Sequence, residues 1–308
     1  MFEGKMNKSL IAKVKDGALV KDFYLEYSDV ELVNKFHKLT FTLDDDKRIV
    51  PFNAQLRGYS GAVDGDGCDW IVKKVAGGEV FESLLGQLAY LIDLNLQTLS
   101  APTLLLKIGE DYYRASKVIK KATQISGYNY LEEPLRKELA NDLINRWLMF
   151  DEDRNPNNYL VIHNTAQQDL IVAIDYNHTD LAAQEMKITG RDDEFGWHRE
   201  EKTRFLTLLK PSNFECYTIA DFRERLDVML ELTGKHLYNL ALLCFAGYVE
   251  DAREEAQLIT ANLQKRSRYI NDYFITWFTN NNKAAAAQKT DDYSGLGKTF
   301  VDFYKRKI

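Results

Sequence analysis

The sequence is short of cysteine, has no long apolar run and carries no excess of positive charge. Its three cysteines, Cys68, Cys216 and Cys244, are odd in number and far apart, with no CxxC pair. That spacing argues against a disulfide framework or a thiolate zinc site, and a reducing compartment suits it. The most apolar stretch, Leu240 to Val249, falls far short of the roughly 20 residues a membrane-spanning helix needs. The opening MFEGKMNKSLIAKVKDG lacks the apolar core of a signal peptide, so a soluble cytoplasmic protein is expected. A formal net charge of −6 argues against direct nucleic-acid binding or broad attachment to anionic membranes. The basic cluster Lys265, Arg266 and Arg268 reads as a solvated helix face. The chain has no Walker A loop, no G-x-S-x-G elbow and no clustering among its five histidines. A P-loop enzyme and a Ser-His-Asp hydrolase are therefore set aside. No internal repeat is present.

What the chain does have is enough length, 308 residues, for two lobes with separate cores. The first half reads as strand-rich. Strands are expected at 9–14, 38–43 and 48–52, with a short helix in SDVELVNKFHKL capped by Ser28 or Asp29. After the glycine-rich LRGYSGAVDGDGCDW come the strand WIVKKV and an amphipathic helix from Glu79 to Leu94. Two further strands, APTLLLKI and DYYRASKVI, flank an IGED turn. From about Leu131 the period becomes helical: Pro134 can open a helix whose buried face is Leu135, Leu139, Leu143, Ile144 and Trp147. The polar FDEDRNPNN follows, then a hairpin of YLVIHN and LIVAID. Helices run from about Ala220 to Phe278, with Gly234 as a C-cap between two of them. The rows Tyr269, Tyr273, Trp277 and Ile270, Phe274, Phe278 read as core packing rather than base-stacking platforms. NNNKAAAAQKTDDYSGLG reads as a linker to an amphipathic tail.

The chemistry concentrates in MFDEDRNPNNYLV and, seventeen residues past Asn158, Asp175. Phosphoryl transfer needs a carboxylate to orient the attacking hydroxyl, oxygen ligands for magnesium, and positive charge on the phosphates. Asp153 is placed to act as the base, and Asn158 with Asp175 to hold Mg2+. A D-x-x-x-x-N loop alone is also ordinary turn chemistry; the hairpin that returns Asp175 to it gives the pattern its weight.

This pattern resembles HipA-like kinases and, more distantly, phosphatidylinositol kinases, whose shared motif reads N-x-D-R-H-x-x-N followed by I-D-H-G. Asp153, Arg154 and Asn158 match the first part, and Ile174 and Asp175 the second. Asp151, Asn155, Tyr176 and Asn177 depart from it, and His178 falls where some relatives have I-D-H-G-H. In WIVKKVAGGEVFESLLGQLAYLI the resemblance implies that Lys73 neutralises phosphate charge and that Glu82 pairs with it. It also implies that Gly58, Ser60 and Gly61 form a loop over the phosphates, with Gly65 and Gly67 left to a hairpin turn. Ser60 becomes a candidate for autophosphorylation, and the backbone of Lys117 and Val118 for adenine binding. The fold implied is α+β and bilobal, protein-kinase-like: a small lobe over 1–118, a helical lobe over 119–282, and a linker and tail over 283–308. ATP and Mg2+ are the implied cofactors and a protein serine or threonine the implied substrate. A neutralising or regulatory protein partner is possible for such a family. A small-molecule or lipid kinase of the same fold, or an inactive nucleotide-binding module, stands as the alternative.

Overall fold

The structure, a computed structural model, describes residues 7–44, 59–151, 155–183, 210–232 and 234–288. It opens with three helices: α1 (Lys8–Val14), α2 (Gly17–Asp22) and α3 (Asp29–Lys38). The strand expected at 9–14 is thus a helix. Leu10 and Val14, four residues apart, bury one helical face, and that spacing outweighs the β-branched composition. Helix α3 begins as expected, with Ser28 and Glu31 in a reciprocal capping box.

A sheet follows, made of β1 (Phe41–Asp44), β2 (Tyr59–Asp64) and β3 (Asp69–Lys74). The strand expected at 48–52 lies outside the described residues. Between β2 and β3 the turn uses Gly67 at φ +77°, a conformation open to glycine at little steric cost. The Asp64 carboxylate secures this turn by accepting the backbone N–H of Asp66 and Cys68 and the indole N–H of Trp70. Helix α4 (Val80–Asn95) leads to β4 (Leu99–Ser100), β5 (Thr103–Ile108), β6 (Asp111–Lys117) and β7 (Thr123–Gln124). The first sheet runs β1-β2-β3-β6-β5 and is antiparallel throughout.

The second half holds α5 (Leu135–Met149), the hairpin β8 (Tyr159–His163) with β9 (Asp169–Ala173), and helices α6 (Ala220–Leu232), α7 (Lys235–Phe245) and α8 (Ala252–Gln288). The second sheet runs β4-β9-β8-β7. The α+β division expected from the sequence holds, with the larger sheet early and the long helices late. Pro134 stands at the N-cap of α5, one residue before its first turn. Gly234 is likewise the N-cap residue of α7 at φ −116°, not a left-handed C-cap. Helix α8 continues through Gln288, so the first part of the expected linker is helical.

Two features of the core place the site. Every residue of α4 from Ser83 to Asn95 is buried, because the helix lies against β5, α7 and α5 at once. On α8, Phe274 and Phe278 pack on Phe222 at 5.1 and 5.0 Å between ring centroids, and Trp147 meets Phe274 at 5.5 Å. Ile270, Phe274, Trp277 and Phe278 are core, as the spacing predicts, whereas Tyr273 is half-buried and Tyr269, 40% exposed, lies at the surface. In the basic cluster on the same helix Lys265 and Arg268 are exposed, as expected, and Arg266 is the exception. Arg266 is 1% exposed and donates to the carbonyls of Leu148, Asp180 and Ala183. Its guanidinium also lies over the Phe150 ring at 4.7 Å. A charge is tolerated there because its N–H groups find backbone oxygens to bond.

Candidate active site

The β8–β9 hairpin places Asn158 and Asp175. Helix α5 ends at Phe150 in the left-handed conformation, φ 56°, which turns the chain sharply toward Asp151. Asn155 then accepts the N–H of Asn157 and caps a short 3-10 turn at 156–158. Strands β8 and β9 pair with Tyr159 opposite Ala173. One step beyond that pair, the N–H of Ile174 donates to the Asn158 carbonyl at 3.1 Å. Asn158 and Asp175 therefore stand at adjoining ends of one ladder, fixed by its register. Asp175 adopts φ +61°, a left-handed conformation that Asp enters more readily than most residues. Its carboxylate accepts the N–H of Asn177 at 3.2 Å, closing a local turn. Asp153 lies outside the described residues, between Asp151 and Asn155.

Beneath this loop is a buried polar network. Arg146 of α5, 2% exposed, pairs with Asp93 of α4, with Asp142 at 3.1 Å and with Asp151 at 3.1 Å. Tyr159 donates to Asp142, and Tyr176 donates to Asp93 at 2.7 Å. Asn145 donates to Asp93 and accepts from Arg225, each at 2.9 and 2.8 Å respectively. Burial alone would lower the Arg146 guanidinium, but Asp142, Asp93, Tyr159 and Asp151 outweigh it and hold its pKa well above the ordinary value. Arg225 forms no ion pair among the described residues, and burial takes its pKa below the usual one despite the charges of Asp142, Glu138 and Asp93. One guanidinium thus holds the start of the loop, through Asp151, and the residue after Asp175, through Asp93 and Tyr176. The departure at Asp151 has a structural role: a carboxylate there answers Arg146.

The first sheet faces this turn. Tyr59, Lys73 and Arg114 are successive cross-strand partners on β2, β3 and β6, so their side chains share one face. Lys73 is half-buried, its Nζ 5.7 Å from the Tyr59 ring centroid. Lys74 points the other way and pairs with Asp111 at 2.6 Å in solvent, as strand alternation requires. Arg114 donates through Nε and Nη2 to Ser83 Oγ of α4, at 3.4 and 3.3 Å, and through Nη1 to Asn177 Oδ1. The Tyr59 phenol is pushed up by burial first and by the Asp175 charge second, against a hydrogen bond from Asn177 and the charge of Arg114. The sheet face and the Asp175 turn are therefore in electrostatic contact.

Several sequence expectations are not met here. Glu82 is exposed, and among the described residues Lys73 has no carboxylate in ion-pair range; the Lys73–Glu82 pair is not formed. Its place beside the sheet is taken by Arg114 and Ser83. Ser60 and Gly61 lie within β2, where Ser60 pairs with Val72 and Gly61 is flanked by both Asp44 and Ile71. Strand pairing commits this backbone to its neighbours, so these residues form no phosphate loop. Ser60 moreover points to the face opposite Lys73, since the two belong to alternate rows. Gly58 lies outside the described residues. The adenine contacts expected at Lys117 and Val118 also fail as donors: their N–H groups bond Pro102 and Asp69 carbonyls at 2.9 Å each. The Lys117 side chain is buried against Asp22 at 2.7 Å, with the Tyr24 ring 4.4 Å away.

No family model matches this chain, and no curated protein matches it. Solved structures similar to it include the Helicobacter pylori proinflammatory kinase CtkA, at 11% identity and a TM-score of 0.47, over 73% of this chain and 95% of that one. HipA, from a Shewanella oneidensis MR-1 toxin–antitoxin complex with HipB and operator DNA, shares 9% identity at a TM-score of 0.40, over 76% of this chain and 66% of that one. The pseudokinase domain of BIR2, an immune regulator of the RLK/Pelle family, shares 13% at a TM-score of 0.27, over 86% and 95%. The site's own residues carry the functional reading.

Asn158 and Asp175 offer one amide and one carboxylate oxygen. Both are hard donors, and Mg2+ commonly takes one or two carboxylates with phosphate and water oxygens completing its shell. Among the described residues no three His, Cys, Asp or Glu side chains form a metal cluster. The amide and carboxylate oxygens fit an ion whose remaining ligands are phosphate and water oxygens. Of the residues the sequence left unassigned, Arg146 had a visible signal: Asp142 and Arg146 lie four apart on the face of α5 that also carries Leu139 and Leu143. Arg114 had none, since one arginine in a strand reveals no partner.

Proposed function

We propose that this chain is an ATP- and Mg2+-dependent phosphotransferase acting on a serine or threonine hydroxyl of a protein. The observation that carries the reading is the adjoining placement of Asn158 and Asp175 by the β8–β9 register, opposite the cationic row of the first sheet. In this reading Asp153 orients the acceptor hydroxyl and takes its proton. Asn158 and Asp175 hold magnesium, which when bound neutralises charge on the transferring phosphoryl group. Lys73 binds phosphate oxygens, and the Arg146 network keeps both ends of the loop in register.

The test is incubation with γ-labelled ATP and Mg2+, using the wild type, Asp153→Ala and Asp175→Ala. Label on protein from the wild type, reduced by at least about a hundredfold in Asp153→Ala, as removal of a general base commonly costs that much, and lost likewise in Asp175→Ala through the metal site, supports the reading. One observation favours a second reading, a nucleotide-binding module without turnover: Glu82 is exposed and does not pair with Lys73. Magnesium-dependent ATP binding with no phosphate released or transferred would select that module. Absence of both binding and turnover would remove both readings.

A further inference from the structure

We infer that Arg114 is a second phosphate-binding cation, acting with Lys73 as a two-pronged clamp on the polyphosphate of the nucleotide; the inference rests on the kinase reading above. Lys73 and Arg114 are direct cross-strand partners on β3 and β6. Like charges in that position repel and weaken a sheet, so their pairing calls for a reason. Among the described residues neither has a carboxylate in ion-pair range. Arg114 bonds only neutral oxygens, Ser83 Oγ and Asn177 Oδ1. A guanidinium has five N–H donors, and these contacts engage three of its nitrogens while N–H groups on both terminal nitrogens are left over. The fork is held in place by neutral tethers, which fix its direction and leave its charge uncompensated. An arginine so held suits bidentate recognition of a phosphate.

The location fits that ligand. Asn177 ties Arg114 to the turn that carries Asp175, and Tyr59 feels both Asp175 and Arg114. A polyphosphate lying between the sheet face and the Asp175 turn would meet Lys73, Arg114 and any ion held by Asp175 and Asn158. The position of Asn177, where the resembling kinases have glycine, acquires a purpose: a glycine there could hold neither Arg114 nor Tyr59. Arg114 also takes over the role expected of Glu82, linking the strand that pairs with β3 to helix α4, here through Ser83. A cation replaces an anion in that link, so the site carries more positive charge than a lysine–glutamate pair would give it.

The experiment measures equilibrium binding of ATP, ADP, AMP and adenosine, with and without Mg2+, to the wild type, Lys73→Met and Arg114→Met. The clamp requires that Arg114→Met weaken ATP by about tenfold or more, roughly the worth of a charged hydrogen bond, and ADP by less. Adenosine should change by less than about twofold, because loss of a phosphate contact leaves base recognition intact. Equal weakening of ATP and adenosine, or no change in ATP, would overturn the clamp. Should Arg114→Met fold poorly, inorganic tripolyphosphate provides a test on the wild type alone. It should displace ATP competitively and better than orthophosphate does; equal or absent displacement would overturn the clamp. Wild-type protein that binds none of the four nucleotides would overturn the kinase reading itself. A wild type that binds ATP no better than adenosine would overturn only the clamp.

Discussion

Arg146 reaches Asp151 at 3.1 Å across the end of α5, and the same guanidinium is held by Asp93 and Asp142. Removing the cation leaves three buried carboxylates facing one another. Arg146→Met is expected to destabilise the protein by about 3–5 kcal/mol, the usual cost of breaking a buried ion pair from one side. Asp151→Asn keeps an oxygen acceptor for Arg146 and should cost less than about 2 kcal/mol. Urea denaturation of both variants checks the order; equal losses would mean that Arg146 does not organise the network.

Arg266 makes a separate demand. It supplies the donors for three backbone carbonyls at the end of α5 and after the Asp175 turn. Arg266→Met should lower stability by roughly 3 kcal/mol, since each buried carbonyl left without a donor costs about 1–3 kcal/mol and some relaxation follows. Arg268→Met, on the same helix, should change stability by less than about 0.5 kcal/mol if it is the ordinary surface residue the sequence suggests. A thermal melt of the two variants side by side distinguishes the positions.

The cysteines should differ sharply in reactivity. Burial pushes the Cys244 thiol up to about 12, and thiolate is the reactive form. Cys216 is exposed, with the Arg136 guanidinium 3.4 Å from its sulfur. Iodoacetamide at pH 8 should label Cys216 first and leave Cys244 unlabelled until the protein unfolds. Peptide mapping by mass spectrometry checks this, and early labelling of Cys244 would contradict its burial.

Asp221 gives a pH-dependent term. Its carboxyl is held below the usual value first by Lys137, at 2.6 Å, and then by the N–H and hydroxyl of Thr218. A depressed folded-state pKa contributes stability that is present above the unfolded carboxylate value, about 3.9, and is lost as pH falls through the lower folded one. The melting temperature of Asp221→Asn should therefore lie below wild type at pH 7, with the gap narrowing below pH 4. A gap that stays constant from pH 7 to pH 3 would show that the charge of Asp221 contributes nothing.

Much of this architecture was legible because its signals were local. The Ser28 cap, the β8–β9 hairpin and the buried stripe of α5 each declare themselves within fifteen residues. The strand expected at 9–14 failed for the same reason in reverse: a β-branched composition concealed the Leu10–Val14 spacing. The site was legible along the chain but not across it. Asn158 and Asp175 could be joined by the hairpin between them, whereas Arg114, Ser83 and Asn177 meet only when the sheet, α4 and the Asp175 turn are packed together. The resemblance puts Ser60 and Gly61 in a loop, yet a glycine flanked by two strands can equally be a point of close pairing. Arg266 was read as surface because a charged residue in a helix usually is.

Helix α4 is enclosed along thirteen consecutive residues, from Ser83 to Asn95, and Gly86 brings it to the backbone of Tyr176, where an added Cβ would stand 3.5 Å from the carbonyl oxygen. A segment without a solvent face has no low-energy way to open by itself. Its amide hydrogens should exchange with deuterium only when the whole molecule unfolds, and later than those of α1 or α2. Exchange across α4 would then serve as a clock for global opening, and a ligand that binds the native protein at the neighbouring site should slow that clock without altering the helix itself.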